Sequence, residues 1–231
     1  MKQVLCYGSE AIEYNLQFTD RKTLGIVVHS NRVVDVKAPI GSSMIDIESK
    51  VKKKAVWILK QKDYFLSFEP RLTERQYVSG ETHLYLGRQY QLKIIKSTID
   101  SVKYTGRFIE IYTSGNIKVE KLINAWYREK AEIWFYKLAE PLIERFKRYN
   151  VCPESVNINN MKYRWGSCSI KGRILLNQEL IKAPKACIQY VIIHELCHLV
   201  HRDHTKAFFD LQSREMPDWE KWKHKLEQFL A

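Results

Sequence analysis

The sequence predicts an α+β protein, a β-rich amino-terminal region followed by a largely helical region, and three observations carry that prediction. Apolar and polar residues alternate from Lys2 to about Pro39 and again between Tyr77 and Tyr112. From about Ile117 the hydrophobic period becomes helical, through Leu122, Trp126, Ile133, Trp134, Leu138, Leu142 and Phe146. Near the carboxyl end an apolar helical stretch, Tyr190-Val-Ile-Ile-His-Glu-Leu-Cys-His198, carries two histidines four positions apart. The change of period divides the chain into a β-rich region with one helix, residues 1–115, and a second domain, 116–231, led by a long helix.

In the first region the alternation in Ile12-Glu-Tyr-Asn-Leu-Gln-Phe18 and Gly25 to Val34 predicts a short antiparallel sheet, with turns at Asp20-Arg-Lys22 and Ser30-Asn31. A helix is expected after Gly41-Ser-Ser43, whose serines can cap its free amides, with Ile47, Val51, Trp57 and Ile58 facing a core. Beyond Phe68-Glu-Pro70 four more strand-like runs are punctuated by Gly80, Gly87, Gly106 and Gly115. His29 and His83 stand alone in strand-like sequence and are read as non-ligands.

In the second region Pro141 is expected to bend or break the long helix. Val156-Asn-Ile-Asn-Asn160 reads as a strand, and Arg164 to Gly172 as the bend of a hairpin that returns along Arg173-Ile-Leu-Leu-Asn177. Pro184 suits the first turn of the His-rich helix. Thr205 is a candidate cap for a helix through Phe208, Phe209 and Leu211, and a last amphipathic helix follows Asp218 with Trp222, Leu226, Phe229 and Leu230.

Composition removes several functional classes. With 45% apolar residues over 231 positions the chain can bury a core. No apolar run is long enough to span a bilayer and no basic-then-apolar leader opens the chain, so a cytoplasmic protein with no membrane association is expected. Five scattered cysteines, Cys6, Cys152, Cys168, Cys187 and Cys197, form no CxxC pair and suit reduced thiols. There is no GxGxxG or GxxxxGK[ST] phosphate loop. The formal charge is +12, and residues 1–150 hold 26 basic against 17 acidic side chains, so most of the excess lies in the β-rich half. Its densest piece, Lys50-Val-Lys-Lys-Lys54, reads as a solvated helix face, with nucleic-acid docking as the competing reading.

The chemistry is concentrated in residues 194–204. On a helix His194 and His198 project from one face about one turn apart, as two ligands of a single ion must. Glu195, inside the HExxH pattern, is placed to take a proton from metal-activated water. Either histidine alone would read as a satisfied core residue, but four of the chain's seven histidines fall within eleven residues. His204 follows after five residues, enough for the helix to stop and the chain to return toward the ion. An extended strand beside such a metal can pair with substrate backbone, and Ile174, Leu175, Leu176 and Asn177 are the candidate; an ordinary hairpin is the alternative.

Arg164-Trp-Gly-Ser-Cys-Ser169, Gly172-Arg-Ile-Leu-Leu-Asn177, Pro184, Tyr190 to His198 and His204-Thr-Lys-Ala-Phe208 together resemble the YgjP-like metal-dependent hydrolases, relatives of the SprT and WLM peptidases. Ala38-Pro39, Lys54-Ala-Val-Trp-Ile58 and Tyr85-Leu-Gly-Arg-Gln-Tyr90 extend the likeness over nearly the whole chain. The resemblance implies a zincin-like metallopeptidase domain with an HExxH active-site helix, Zn2+ held by His194, His198 and His204, and Glu195 as acid/base. His201 stands where the metzincins, which share the five-residue gap, have glycine. Arg164, Tyr163, His201 and Arg202 are candidates for a second donor to the developing oxyanion. Cys168 is read as structural and not as a nucleophile.

The expected function is therefore zinc-dependent hydrolysis of peptide bonds in proteins or peptides. The alternatives are a zinc-dependent nucleotide phosphoanhydride hydrolase and a SprT-like protease associated with nucleic acid through the basic amino-terminal half.

Overall fold

The computed structural model describes residues 1–8, 10–29, 31–66, 75–115, 118–161 and 164–230, with Tyr64, Phe65, Phe229 and Leu230 described by backbone alone. The chain forms two compact units, Met1–Thr73 and Glu74–Leu230.

The first unit opens with β1 (Lys2–Tyr7), β2 (Glu10–Thr19), β3 (Gly25–Val28) and β4 (Val34–Pro39), in spatial order β1-β2-β4-β3. The sheet is mixed, because β2 and β4 run parallel, with Leu16 opposite Val36. The purely antiparallel sheet expected from alternation is thus corrected: period 2 reports which face is buried and says nothing of strand direction. Ile12, Tyr14, Leu16, Val34, Val36 and Ala38 form the inner face. Helices α1 (Met44–Lys53) and α2 (Ala55–Leu66) supply Ile47, Val51, Ala55 and Ile58 to the same core. Ser43 caps α1 as expected, its Oγ accepting from the Asp46 amide at 3.1 Å. Trp57 does not face the core: it is 42% exposed, because the chain breaks at Lys54 and the second helix carries its own phase.

The second unit begins with β5 (Thr82–Tyr85), β6 (Arg88–Lys96), β7 (Ser101–Tyr104) and β8 (Phe108–Thr113), ordered β5-β6-β8-β7 with β6 and β8 parallel. This is the topology of the first sheet over again, two outer antiparallel pairs around a central parallel pair, followed by a helix. Here the helix is α3 (Val119–Phe146), which runs on through Pro141. The proline removes one backbone donor, yet Leu142 and Phe146 stay buried beyond it, so packing holds the last turn in place.

A smaller sheet follows, with β9 (Ser155–Asn159), β10 (Gly166–Cys168) and β11 (Arg173–Asn177) in the order β10-β11-β9. The remaining helices are α4 (Lys185–Val200), α5 (Lys206–Glu215) and α6 (Trp219–Leu230). One core joins Tyr85, Leu92, Ile109 and Ile111 of the second sheet to Ile123, Tyr127 and Phe135 of α3 and to Cys187, Ile188 and Leu196 of α4. The second sheet and the helices that follow it therefore share one compact unit.

The β5–β6 turn is the attachment point between that sheet and α4. The Leu86 and Gly87 amides donate to the Ile181 and Lys182 carbonyls at 2.9 and 3.0 Å. Gly87 has φ +80, and a Cβ there would lie 2.7 Å from Pro184 Cγ and 2.9 Å from its Cα, so only glycine admits this approach.

Candidate metal centre

Helix α4 starts at Pro184, whose carbonyl accepts from the Cys187 amide at 2.9 Å, and its apolar residues Cys187, Ile188, Val191, Ile192, Leu196 and Cys197 anchor it in the core. That leaves His194 and His198 half-buried on the remaining face. The helix ends at His201, and the chain turns back through Asp203 so that His204 approaches the pair before α5 begins. Thr205 occupies the N-cap position of α5, but its side chain makes no capping bond.

One nitrogen from each of His194, His198 and His204 lies within 4.8 Å of the others, and this is the only such cluster of metal-ligating side chains among the described residues. His194 Nε2 and His204 Nε2 are 3.1 Å apart. Two bare ring nitrogens repel at that distance, so the pair needs a cation or a shared proton between them. Three imidazoles at this spacing suit a small divalent ion with nitrogen ligands near 2 Å.

The rings are held from behind. His194 Nδ1 donates to Gln212 Oε1 at 2.8 Å, and His198 Nδ1 to the His201 carbonyl at 3.3 Å. Phe208, fully buried, packs against all three rings with centroid separations of 5.0, 4.7 and 4.7 Å. Burial lowers the pKa of His194 to about 4 and that of His198 in the same direction, so both are neutral, ligand-competent imidazoles at pH 7.

Glu195 is 5% exposed, and its Oε2 has no hydrogen-bond partner among the described residues. Burial pushes its pKa up to about 8, against the opposing charge of Arg164. Strand β10 crosses directly over it: a Cβ on Gly166 would lie 2.6 Å from Glu195 Oε1 and 2.9 Å from Val191 Cγ1. The glycine of the Arg164–Ser169 stretch thus lets the strand reach the carboxylate.

Several residues singled out in the sequence have other tasks. Strand β11 is the middle strand of its sheet, pairing with β10 on one side and β9 on the other, so Ile174, Leu175, Leu176 and Asn177 have no free edge for a substrate backbone. Ile174 and Leu176 are buried. Asn177 instead clamps the preceding loop, its Nδ2 donating to the Met161 and Arg164 carbonyls at 2.7 and 2.8 Å. An alternating strand looks the same in sequence whether it lies in the middle of a sheet or at its edge, so the pattern alone does not place β11 in the sheet.

Arg202 spends its guanidinium on the Ser169 and Ile170 carbonyls at 2.7 and 2.6 Å, pinning the β10–β11 turn. Burial raises the pKa of the Cys168 thiol, with the Glu195 carboxylate adding to it, which disfavours a thiolate. Tyr163 lies outside the described residues. His29 bonds Asp35 at 2.8 Å and His83 is buried in the second sheet, and neither belongs to the cluster.

Gln212 was not found from the sequence. Its signal was the spacing His204, Phe208, Gln212, which places one stripe of α5 behind the histidines.

A family model described as a YgjP-like metallopeptidase domain matches residues 22–229. A comparison with curated proteins returns no match.

Proposed function

The chain belongs to the YgjP-like metallopeptidase family, and on that premise we propose that it is a zinc-dependent peptidase with His194, His198 and His204 as the zinc ligands and Glu195 as the general base. The observation that carries this reading is the convergence of three histidine nitrogens within 4.8 Å, next in sequence to a buried carboxylate. When bound, zinc supplies Lewis-acid polarisation of a carbonyl and lowers the pKa of water.

The chain's own residues do the rest. Glu195, lacking a hydrogen-bond partner on Oε2, accepts the proton of the attacking water and passes it to the leaving amine. Burial favours proton uptake by this carboxylate, which the exchange requires. Arg164, whose charge acts on Glu195, is one candidate to offset charge on the carbonyl oxygen, whereas Arg202 is committed to the β10–β11 turn. Strand β10, an outer strand of its sheet, is the place for an extended substrate to pair, because its Gly166 lies against Glu195.

A protein or peptide is therefore the proposed partner. No helix among the described residues is long and apolar enough to cross a membrane. Lys50, Lys52, Lys53 and Lys54 are exposed at the carboxyl end of α1, where they offset its dipole, and need no nucleic acid to explain them.

The test offers metal-loaded protein and a Glu195→Gln variant a diverse peptide library, a panel of nucleoside triphosphates and labelled single-stranded and duplex DNA. Metal-dependent peptide cleavage lost in the variant is the expected result. Release of phosphate without peptide cleavage would favour phosphoanhydride hydrolysis and overturn the proposal, and salt-sensitive DNA binding would mark the nucleic-acid-associated alternative.

A further inference from the structure

The position most at odds with ordinary packing is Gln212. It lies on α5 with no exposed surface, among Phe208, Leu211 and the back of the histidine cluster. Its Oε1 accepts from His194 Nδ1 at 2.8 Å, while its Nε2 has no hydrogen-bond partner among the described residues. A buried amide with one end unpaired is worse than a leucine or methionine of similar size, and such departures from good packing concentrate where function demands them. The only polar contact that this side chain makes among the described residues is the one to His194.

That contact has a chemical consequence. A neutral imidazole has one protonated nitrogen and one bare one, and whichever partner takes the proton decides which nitrogen is left to bind. With Oε1 facing Nδ1, the proton is held there and Nε2 is left bare, on the side of His204 Nε2. The bond also fixes the ring's rotation. His198 is held by a backbone carbonyl, a partner no side-chain substitution can remove, so His194 is the ligand whose set-up depends on a side chain.

We propose that Gln212 is a positioning residue for the metal centre: by accepting the Nδ1 proton it sets the tautomer and angle of His194, and it controls metal affinity without touching the ion. This rests on the reading of His194, His198 and His204 as ligands. Partners of this kind behind a histidine ligand are worth 10–100-fold in affinity in other metal sites.

The experiment measures zinc affinity by chelator competition for the full-length wild type and for Gln212→Met, Gln212→Glu and His194→Ala. The Met variant keeps volume and removes the acceptor; the Glu variant keeps an acceptor at the same reach. Gln212→Met is expected to bind zinc about 10–100-fold more weakly, with Gln212→Glu at least matching the wild type. Equal affinity in the wild type and Gln212→Met, with binding lost in His194→Ala, would overturn the role of Gln212 and leave the metal site standing. Full zinc retention in His194→Ala would overturn both. Nitrogen-15 NMR of the histidine rings in zinc-loaded wild type needs no variant: His194 is expected to ligate through Nε2 with Nδ1 protonated, and ligation through Nδ1 would overturn the proposal.

Discussion

Gly166 leaves no room for a side chain against Glu195: a Cβ there would lie 2.6 Å from Glu195 Oε1 and 2.8 Å from its Cγ. Strand β10 and the Glu195 carboxylate are thereby packed against each other, which ties the proposed substrate strand to the proposed base.

Gly166→Ala should therefore act on catalysis and spare metal binding. Val191 closes the other side of the methyl group at 2.9 Å, so the carboxylate or the strand must move. A displacement of about 1 Å is enough to cost roughly 100-fold in rate. The expected outcome is a fall of that size in kcat/KM with unchanged zinc stoichiometry; full activity would show that the strand is not held against Glu195.

Glu195 should make the metal-free protein pH-sensitive. Its folded pKa, about 8, lies above the ordinary 4.5, so its contribution to stability is fully present below about pH 4.5 and is lost as pH rises through 8. Glutamine does not titrate. In denaturant unfolding with chelator, Glu195→Gln should gain on the wild type between pH 5 and pH 8 by on the order of 3 kcal/mol. A constant difference across that range would refute the raised pKa.

Gly87→Ala should cost more than Gly80→Ala, although both residues have positive φ, +80 and +91. Alanine at Gly80 meets nothing within 4 Å and pays only the left-handed strain, about 1 kcal/mol. At Gly87 it also strikes Pro184, at the start of α4, and should lose at least about 2 kcal/mol. Equal thermal stabilities would contradict the docking of the β5–β6 turn on the α4 start.

Glu215, at the end of α5, should show an asymmetric response. Its side chain is fully buried, accepts from Tyr149 Oη at 2.5 Å and from Arg148 on Oε1, and forms an ion pair with Arg145, whose Nε lies 2.9 Å from Oε2. The arginines are 39% and 52% exposed, so losing the glutamate leaves them to solvent, and Glu215→Gln should cost about 1–2 kcal/mol. Removing both arginines strands a buried carboxylate and should cost about 3–5 kcal/mol. Chemical denaturation of the two variants measures the difference, and the reverse order would refute it.

Much of the candidate metal centre was legible along the chain because it is local. His194, Glu195 and His198 lie within five residues of one helix, where a spacing of four dictates a common face, and His204 lies one turn of chain beyond. The α+β class was legible for the same reason, since burial imposes period 2 on strands and 3.6 on helices. What depended on distant residues could not be read this way. The parallel pairing of β2 with β4 and of β6 with β8, the middle position of β11, and the boundary at Thr73/Glu74 are set by which strands meet across long stretches of sequence. Gln212 and Gly166 belong with them: the spacing from His204 through Phe208 aligns Gln212 with the cluster, but which residue it or Gly166 meets, His194 or Glu195, is decided only by folding. Side-chain periodicity reports which face of an element is buried; what that face is buried against is settled by packing alone.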